Sequence, residues 1–267
     1  MLKVGLVGCG VIGTEIAKAV DKMIPGLELV AICDKNKAKE DALLHFLEKI
    51  PILATIDGII ERADLVVEAA SADIVGELTN KAINKKKDIM IMSIGGMIDH
   101  FNLFDEARKR GCRIYFPSGA IAGLDGIKAA AEAHIDSVTL ETYKSPSGLE
   151  GAPYLEEKKI DLRKIKRKTT IFEGSSREAV KAFPKNINVA AVLSFAGIGI
   201  DKTRVRIIAD PSLKRNIHHI VVKGNFGRLE TRVENVPSPF NPRTSYLAAL
   251  SAVATLRRIA DPVQIGT

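Results

Sequence analysis

Residues 1–120 alternate between short apolar runs and segments whose apolar positions have helical spacing. The apolar runs contain few polar interruptions, which is typical of strands covered on both faces of a parallel sheet. They read LKVGLVGCG, LELVAICD, ADLVVEAAS, KDIMIMSIG and CRIYFPSG. Because helical segments separate them, we predict an α/β fold class with an N-terminal doubly wound parallel sheet of the Rossmann type.

The pattern changes near residue 125, where apolar and polar residues alternate within each run. Such alternation is typical of an antiparallel sheet with one exposed face. The runs read SVTLETYKSP, RKTTIFEGS, KTRVRIIAD, IHHIVVKG and GRLETRVEN, with one helical stretch near NINVAAVLSFAGI. We predict an α+β domain with an open, mainly antiparallel sheet over 121–239. A C-terminal helix within 240–267 is expected to pack back on the first domain, 1–120.

The composition is that of a globular protein, with 267 residues of which 46% are hydrophobic and 27% charged. The net charge of +7 fits nucleic acid, an anionic membrane or a small anionic ligand. The densest basic run, DLRKIKRKTT, has no interleaved aromatic residues, so we predict no nucleic-acid binding. No apolar run approaches the roughly 18 residues of a membrane span, so we predict no membrane association.

The cysteines and the N-terminal residues indicate the cellular location of the protein and whether it binds a metal. Cys9, Cys33 and Cys112 are scattered, without the spacing of a metal site, and the chain starts directly with a strand-like run. We therefore predict reduced thiols, a cytoplasmic protein and no bound metal.

A glycine motif marks the end of the first predicted strand. VGLVGCGVIG places G-x-G-x-x-G at Gly8, Gly10 and Gly13, and Val11 and Ile12 open the following helix. The first glycine would make a tight turn, the second would admit a pyrophosphate, and the third would allow close packing of helix and strand. Since backbone N–H groups at the helix N-terminus would face the phosphates, the first domain is predicted to bind a dinucleotide.

Other strand ends refine the cofactor prediction. Asp34 closes the second strand, where its carboxylate would bind an adenosine ribose and favour NAD. Lys35 and Lys37 would offset repulsion of a 2′-phosphate, so NADP is expected to be tolerated. Ala70 and Ser71 follow the third strand, at the same sheet edge, and their small size would allow close approach to the cofactor.

Two of the five histidines are adjacent, in a run that reads as a strand. Successive strand side chains point to opposite faces, so His218 and His219 cannot enter one site. Asn216 shares a face with His218. At most one histidine of the pair can therefore serve the chemistry of that face.

The chain resembles the L-aspartate dehydrogenase family over essentially its whole length. The similar segments are GLVGCGVIG, VVEAAS, PSGAIAGLDGIKAA, FPKNINVAAVLSFAG, ADPSLKRNIHHI and PSPFNPRTSYLAALS. The resemblance implies oxidation of L-aspartate to iminoaspartate with NAD or NADP, which can feed NAD biosynthesis. It also implies that Ala122 and Asn188 contact the cofactor, that His218 is catalytic, and that the chain forms a homodimer.

The chemistry of amino-acid oxidation suggests further roles. A histidine suits the general base, since its pKa lies near the working range, and Asn216 would orient substrate or imidazole. Thr244 and Ser245 precede the last helix and would either cap it or hold a substrate carboxylate. Four cations near the histidine strand could bind the substrate dianion, and the residues do not choose among them: Arg204, Arg206, Lys214 and Arg215.

Three expectations remain open from the sequence. Lys144, in ETYKSP, is a weak candidate. The open sheet is expected to expose an apolar face, which would support the homodimer through the second domain. The alternative functions are another two-domain reductase, similar to dihydrodipicolinate reductase or homoserine dehydrogenase, and a non-catalytic dinucleotide sensor.

Overall fold

The computed structural model describes residues 1–184, 188–238 and 241–266, except for the side chains of 241–244. The chain divides into two compact units. The first comprises Met1–Pro117 and Ala249–Gln264, and the second comprises mainly Ser118–Ala248.

The first unit contains a six-stranded sheet in which every described pair of neighbouring strands is parallel. Its strands are β1 (Leu2–Val7), β2 (Leu27–Cys33), β3 (Ile52–Leu53), β4 (Leu65–Glu68), β5 (Asp88–Ile91) and β6 (Ile114–Tyr115). Its helices before the second unit are α1 (Val11–Lys22), α2 (Lys37–Leu44), α3 (Ile56–Arg62), α4 (Ala72–Asn84) and α5 (Asn102–Arg110). The strand order β3-β2-β1-β4-β5-β6 is the doubly wound order, so the predicted Rossmann arrangement is confirmed.

The core of the first unit explains why the apolar runs show little alternation. Val4, Leu6 and Val67 are fully buried because helices cover the sheet on both faces. The C-terminal helix joins this core, since Ala252 and Leu256 are buried in the same cluster as Val4 and Leu6. The chain thus returns to its first unit for its last helix.

The second unit contains a mixed five-stranded sheet with the order β11-β10-β7-β9-β8. Its strands are β7 (Ile135–Lys144), β8 (Thr169–Ser175), β9 (Arg204–Ala209), β10 (Asn216–Gly224) and β11 (Gly227–Asn235). Only the described pair β7–β9 is parallel, so the sheet is mainly antiparallel, as predicted. The remaining elements are α6 (Leu124–Ala131), α7 (Pro153–Glu157), α8 (Ser176–Ala182), α9 (Asn188–Ala196), the ribbon β12 (Pro237–Ser238) with β13 (Asn241–Ser245), and α10 (Tyr246–Ala260).

The two faces of this five-stranded sheet differ in chemistry. Its inner face, which includes Val138, Leu140, Thr142, Lys144 and His218, is buried. Its outer face carries side chains of the alternate positions, which are partly exposed and mostly charged or polar: Glu141, Tyr143, Arg206, His219, Glu230, Arg232 and Glu234.

The outer face contradicts the expectation of an exposed apolar surface. Arg206 pairs with Glu141 at 3.3 Å and with Glu173 at 3.1 Å, and His219 contacts Glu141 and Glu230. Some charged residues of the alternating runs therefore pair across strands, and others pair within one strand. The described residues of this face therefore do not support a homodimer formed through an exposed apolar surface.

None of the described helices is both long enough and apolar enough to cross a bilayer.

Candidate active site

The glycine motif forms a tight connection between β1 and α1. Gly8 has a φ of +103°, and a Cβ atom there would lie 2.5 Å from the Ala69 backbone. A Cβ atom on Gly13 would lie 1.9 Å from the carbonyl oxygen of Gly8. Both positions therefore exclude any larger side chain, and the helix begins directly against the strand.

The N-terminus of α1 is free to receive an anion. Gly10 is its N-cap residue and has no side-chain capping bond, and the first turn contains no acidic residue. A Cβ atom on Gly10 would meet nothing within 4 Å. Val11 and Ile12, the first residues of α1, are half-buried. Open space before uncapped N–H groups fits the pyrophosphate of a dinucleotide.

A cleft of about 200 Å³ lies beside this turn. Its lining includes Gly8, Gly10, Asp34, Ala70 and Ser71, which the structure thus brings together. The Asp34 carboxylate accepts hydrogen bonds from the N–H groups of Cys9 and Asn36, both at 2.8 Å. These bonds fix the carboxylate at the end of β2.

The basic residues at the cleft differ from those predicted. Lys35 and Lys39 line it, whereas Lys37 is not among its lining residues. Lys37 opens α2, and Lys39 follows two positions later on that helix. The sequence reasoning missed Lys39 because the orientation of α2 cannot be inferred from its residues alone.

Glu68 hydrogen-bonds Ala70, which lines the cleft on the side of β4. It is fully buried at the end of β4, and its carboxylate accepts hydrogen bonds from the N–H groups of Ala70, Met92 and Ser93. The Ser93 hydroxyl donates a further bond at 2.9 Å. Burial raises the pKa of Glu68, while these donated bonds act in the opposite direction. The residue ties the ends of β4 and β5 together and so holds Ala70 in place.

Two glycine substitutions should separate folding from dinucleotide binding. Gly13→Ala is expected to cost about 1–3 kcal/mol of unfolding free energy, since its methyl group meets a backbone oxygen. Gly10→Ala should leave the free energy of unfolding nearly unchanged but weaken NAD binding by about tenfold, because its methyl group occupies the open anion site. Urea unfolding and NAD titration would measure both. Equal NAD affinity of Gly10→Ala and wild type would contradict this assignment of the phosphate site.

His218 lies on the inner face of the second unit. Its side chain is 3% exposed, and its Nδ1 atom lies 3.1 Å from the hydroxyl of Thr142, its cross-strand neighbour. Burial, and to a smaller extent the charge of Lys144, lower the pKa of His218 to about 3. The imidazole is therefore neutral at physiological pH.

Lys144 is the second ionisable residue of this inner face. It follows Thr142 by two positions on β7, so both side chains point the same way. Lys144 is 5% exposed, and burial lowers its pKa to about 8. The sequence contained a signal for it, because Val138, Leu140, Thr142 and Lys144 continue a single alternation.

A pocket of about 320 Å³ opens beside these residues. Lys144 and Asn216 line it from the sheet, together with Lys214, Arg215 and Glu150. Asn216 precedes His218 by two positions and shares its face. Asn235 lies opposite Asn216 in the register and donates a hydrogen bond to the Ala120 carbonyl at 3.0 Å.

His219 points to the outer face, as the strand geometry requires. Its Nε2 lies 2.7 Å from Glu230 and its Nδ1 lies 3.3 Å from Glu141. Arg206 shares this face with His219, and Arg204 follows the same alternation on β9. Both arginines are thereby separated from the pocket beside Lys144.

The other predicted site residues lie in the second unit. Ala122 is exposed, and its carbonyl accepts a hydrogen bond from Thr231 at 3.3 Å. Asn188 is the first residue of α9. Ser245 is buried and directly precedes α10, while the side chain of Thr244 lies outside the described residues.

The described residues contain no group of three or more His, Cys, Asp or Glu side chains that could hold a metal ion. A glycine turn with its cleft, and a buried histidine on a separate sheet, fit the class of nicotinamide-dependent dehydrogenases. Residues 125–259 match the family described as "Aspartate dehydrogenase, C-terminal", and residues 8–117 match "Homoserine dehydrogenase, NAD binding domain".

Whole-chain relatives narrow this class to one family. L-aspartate dehydrogenases of Methanococcoides burtonii and Methanocaldococcus jannaschii are 53% and 43% identical to this chain, each with both sequences fully covered. The crystal structure of aspartate dehydrogenase from Thermotoga maritima is 28% identical, with a TM-score of 0.76 and full coverage of both chains. The chain belongs to the L-aspartate dehydrogenase family.

Proposed function

We propose that this protein oxidises L-aspartate to iminoaspartate with NAD or NADP, and that the imine supplies NAD biosynthesis or hydrolyses to oxaloacetate. The observation that carries the proposal is the buried His218 on the same sheet face as Lys144 and Asn216, which line a cationic pocket, in a chain of this family. An amino acid with two carboxylates needs both a proton acceptor and cations, and this sheet provides both.

The first unit would hold the cofactor. When bound, the dinucleotide supplies the acceptor for the hydride that leaves the substrate Cα. The N–H groups at the start of α1 would bind its pyrophosphate, and the Asp34 carboxylate would bind its ribose. The proposed contacts are Gly8, Gly10, Val11, Ile12, Gly13, Asp34, Ala70 and Ser71, with Ala122 and Asn188 added by the family resemblance.

His218 would act as the general base. When its Nδ1–H group donates to the Thr142 hydroxyl, its Nε2 atom carries the lone pair that accepts a proton. This lone pair would accept a proton from the substrate ammonium. It would equally accept a proton from the water that hydrolyses the imine. Asn216, on the same face, would orient the substrate or the imidazole.

The substrate would itself improve this base. A histidine with a pKa of about 3 accepts protons poorly at neutral pH. Two carboxylates bound nearby would raise that pKa, because negative charge stabilises the imidazolium. Ser245, at the start of α10, is proposed to assist in holding a carboxylate, together with Thr244.

NAD is proposed as the preferred cofactor, with NADP accepted. The carboxylate of Asp34 would repel a 2′-phosphate, and the ammonium groups of Lys35 and Lys39 in the same cleft would offset part of that repulsion.

A substrate and cofactor panel tests the function. Wild-type protein should form NADH with L-aspartate much faster than with alanine, glutamate, malate or homoserine, and kcat/KM should be higher with NAD than with NADP. Absorbance at about 340 nm reports the reduced nicotinamide of either cofactor. Activity with homoserine but not with aspartate would indicate another two-domain dehydrogenase. Inactivity with all five compounds would favour a dinucleotide sensor.

The cytoplasmic location and the homodimer also remain proposals. Since the described outer face is charged, the dimer is supported by the family resemblance rather than by an apolar surface. Analytical ultracentrifugation would determine the oligomeric state.

A further inference from the structure

We propose that Asn235 is a positioning residue that fixes the backbone of the segment 120–126 along β11, so that its exposed peptide groups are held ready to contact the nicotinamide half of the cofactor. This inference rests on the proposed function, in which Ala122 contacts the dinucleotide. Asn235 acts through the segment and does not touch the reacting atoms.

The strand register places two polar residues of β11 on the face of the proposed base. Asn235 lies opposite Asn216, which shares a face with His218. Thr231 lies opposite Ile220, which belongs to the same alternation on β10. Because directly paired residues project from the same side of a sheet, Asn235 and Thr231 both lie on the inner face.

These two side chains hold the segment 120–126 by its backbone. The Nδ2 atom of Asn235 donates a hydrogen bond to the Ala120 carbonyl at 3.0 Å. The Thr231 hydroxyl donates a second bond to the Ala122 carbonyl at 3.3 Å. The segment advances from Ala120 to Ala122 as the strand runs back from Asn235 to Thr231, so it lies along β11 in the opposite direction.

Two glycines bring the segment close to the strand. Gly123 has a φ of +86°, and a Cβ atom there would lie 2.8 Å from the side chain of Thr231. A Cβ atom on Gly126 would lie 2.8 Å from the side chain of Leu229. The contact with β11 therefore continues into the first turn of α6, and the segment is fixed along its whole length.

The amide of Asn235 is used for donation alone within the described part of the chain. Asn235 is 2% exposed, and its Oδ1 atom is buried without a hydrogen-bond partner among the described residues. A buried acceptor without a partner is unfavourable for the fold. An apolar residue of similar size removes this acceptor together with the donor, so it should release Ala120 with little change in the free energy of unfolding.

The two halves of the cofactor should respond differently to a loosened segment. The adenosine ribose is proposed to bind Asp34 in the first unit, whereas the nicotinamide ring must take its hydride from the substrate that His218 serves. Ala122 is exposed on the segment, where its peptide groups can meet a ligand. A backbone that is already fixed costs no ordering when the ligand binds, so Asn235 should strengthen binding of the nicotinamide half alone.

A comparison of NADH with ADP-ribose tests this role without turnover, because ADP-ribose lacks the nicotinamide ring. The dissociation constants of both ligands are measured calorimetrically on the full chain, with wild type, Asn235→Leu and Thr231→Val. The matched control is Asn225→Leu, since Asn225 is an exposed asparagine in the turn between β10 and β11. Hydrogen exchange of the amides of residues 120–126 is followed in the ligand-free protein.

The expected results separate a positioning role from a general effect on the fold. Asn235→Leu should weaken NADH binding about tenfold, the usual effect of one lost buried hydrogen bond, and should change ADP-ribose binding by less than about twofold. The segment amides should exchange faster in this variant. Thr231→Val should show a smaller loss of NADH affinity, because its bond to Ala122 is longer. Asn225→Leu should match wild type for both ligands.

Several outcomes would overturn the positioning role. Unchanged NADH affinity in Asn235→Leu would do so, as would an equal loss of affinity for NADH and ADP-ribose or unchanged exchange of the segment amides. If Asn235→Leu does not fold, the same results in Thr231→Val would refute the proposal in its place. If NADH affinity depends on Asn235 as expected while aspartate is not oxidised, the positioning role stands and the proposed function fails.

Discussion

His218→Ala is expected to lower kcat for aspartate oxidation by about 10²–10⁴-fold, the usual contribution of a general base. NAD binding should be retained, because His218 belongs to the second unit and the phosphate turn belongs to the first. NADH formation under saturating aspartate, with NAD titration of the same sample, measures both quantities.

His219→Ala is the matched control for this experiment. The two histidines are adjacent, but His219 lies on the outer face between Glu141 and Glu230. Its removal breaks partly exposed polar contacts, which contribute little to stability, and should leave most of the rate. Equal and near-wild-type rates in both variants would show that the pair is structural and that the base lies elsewhere.

The contrast between the two histidines was accessible from the sequence because strand geometry is local. Alternation within IHHIVVKG fixed the opposite directions of His218 and His219 without any tertiary information. The same local reasoning placed the five strands of the second sheet. It also placed the last helix, whose periodic apolar positions run from Tyr246 to Ala260.

Short and weakly patterned elements escaped this reasoning. β3 has two residues, which are too few to show a strand pattern. α8 has seven residues and was not predicted, although Ser175 and Glu178 form a capping box at its start. The run KAKEDALLHFLEKI has helical spacing throughout, but α2 ends at Leu44 and the residues after it are mostly irregular.

Cross-strand register was the main missing information for the site. The alternation of β7 placed Lys144 on a buried face, but nothing local indicated that this face is also that of His218. Pairing of Thr142 with His218 supplies that link. The register likewise assigns Arg206 to the outer face and leaves Lys214 and Arg215 at the pocket. Residues far apart in the chain are thus combined by strand pairing, which single-sequence patterns do not reveal.

The chemistry of the outer face was misread for a related reason. The open sheet was expected to expose an apolar face. In the structure the outer face instead carries charged residues, some of which pair across strands, as Arg206 does with Glu173. Opposite charges on neighbouring strands stabilise such a face, and their partners can be identified only once the strand order is known.

The substrate-free protein is expected to lose stability between pH 6.5 and pH 5 because burial disfavours protonation of His218 in the folded state. Its folded pKa is about 3, compared with 6.5 for an unperturbed histidine. As pH falls below 6.5, the unfolded chain binds a proton that the folded chain does not, so the free energy of unfolding decreases. The expected loss over this range is about 1.5 kcal/mol, approaching about 1.4 kcal/mol per pH unit at lower pH.

One variant isolates this contribution from other titrating groups. His218→Gln should show a loss smaller by about 1.5 kcal/mol over the same range, because glutamine does not titrate. The carboxyl groups of Asp210 and Glu230 have lowered pKa values, so their contributions disappear mainly as pH falls through those lower values. Hydrogen exchange of the β10 amides reports the opening of the second unit directly. Parallel pH dependence in wild type and His218→Gln would mean that His218 becomes protonated in the folded state, and its environment would then be more hydrated than its 3% exposure indicates.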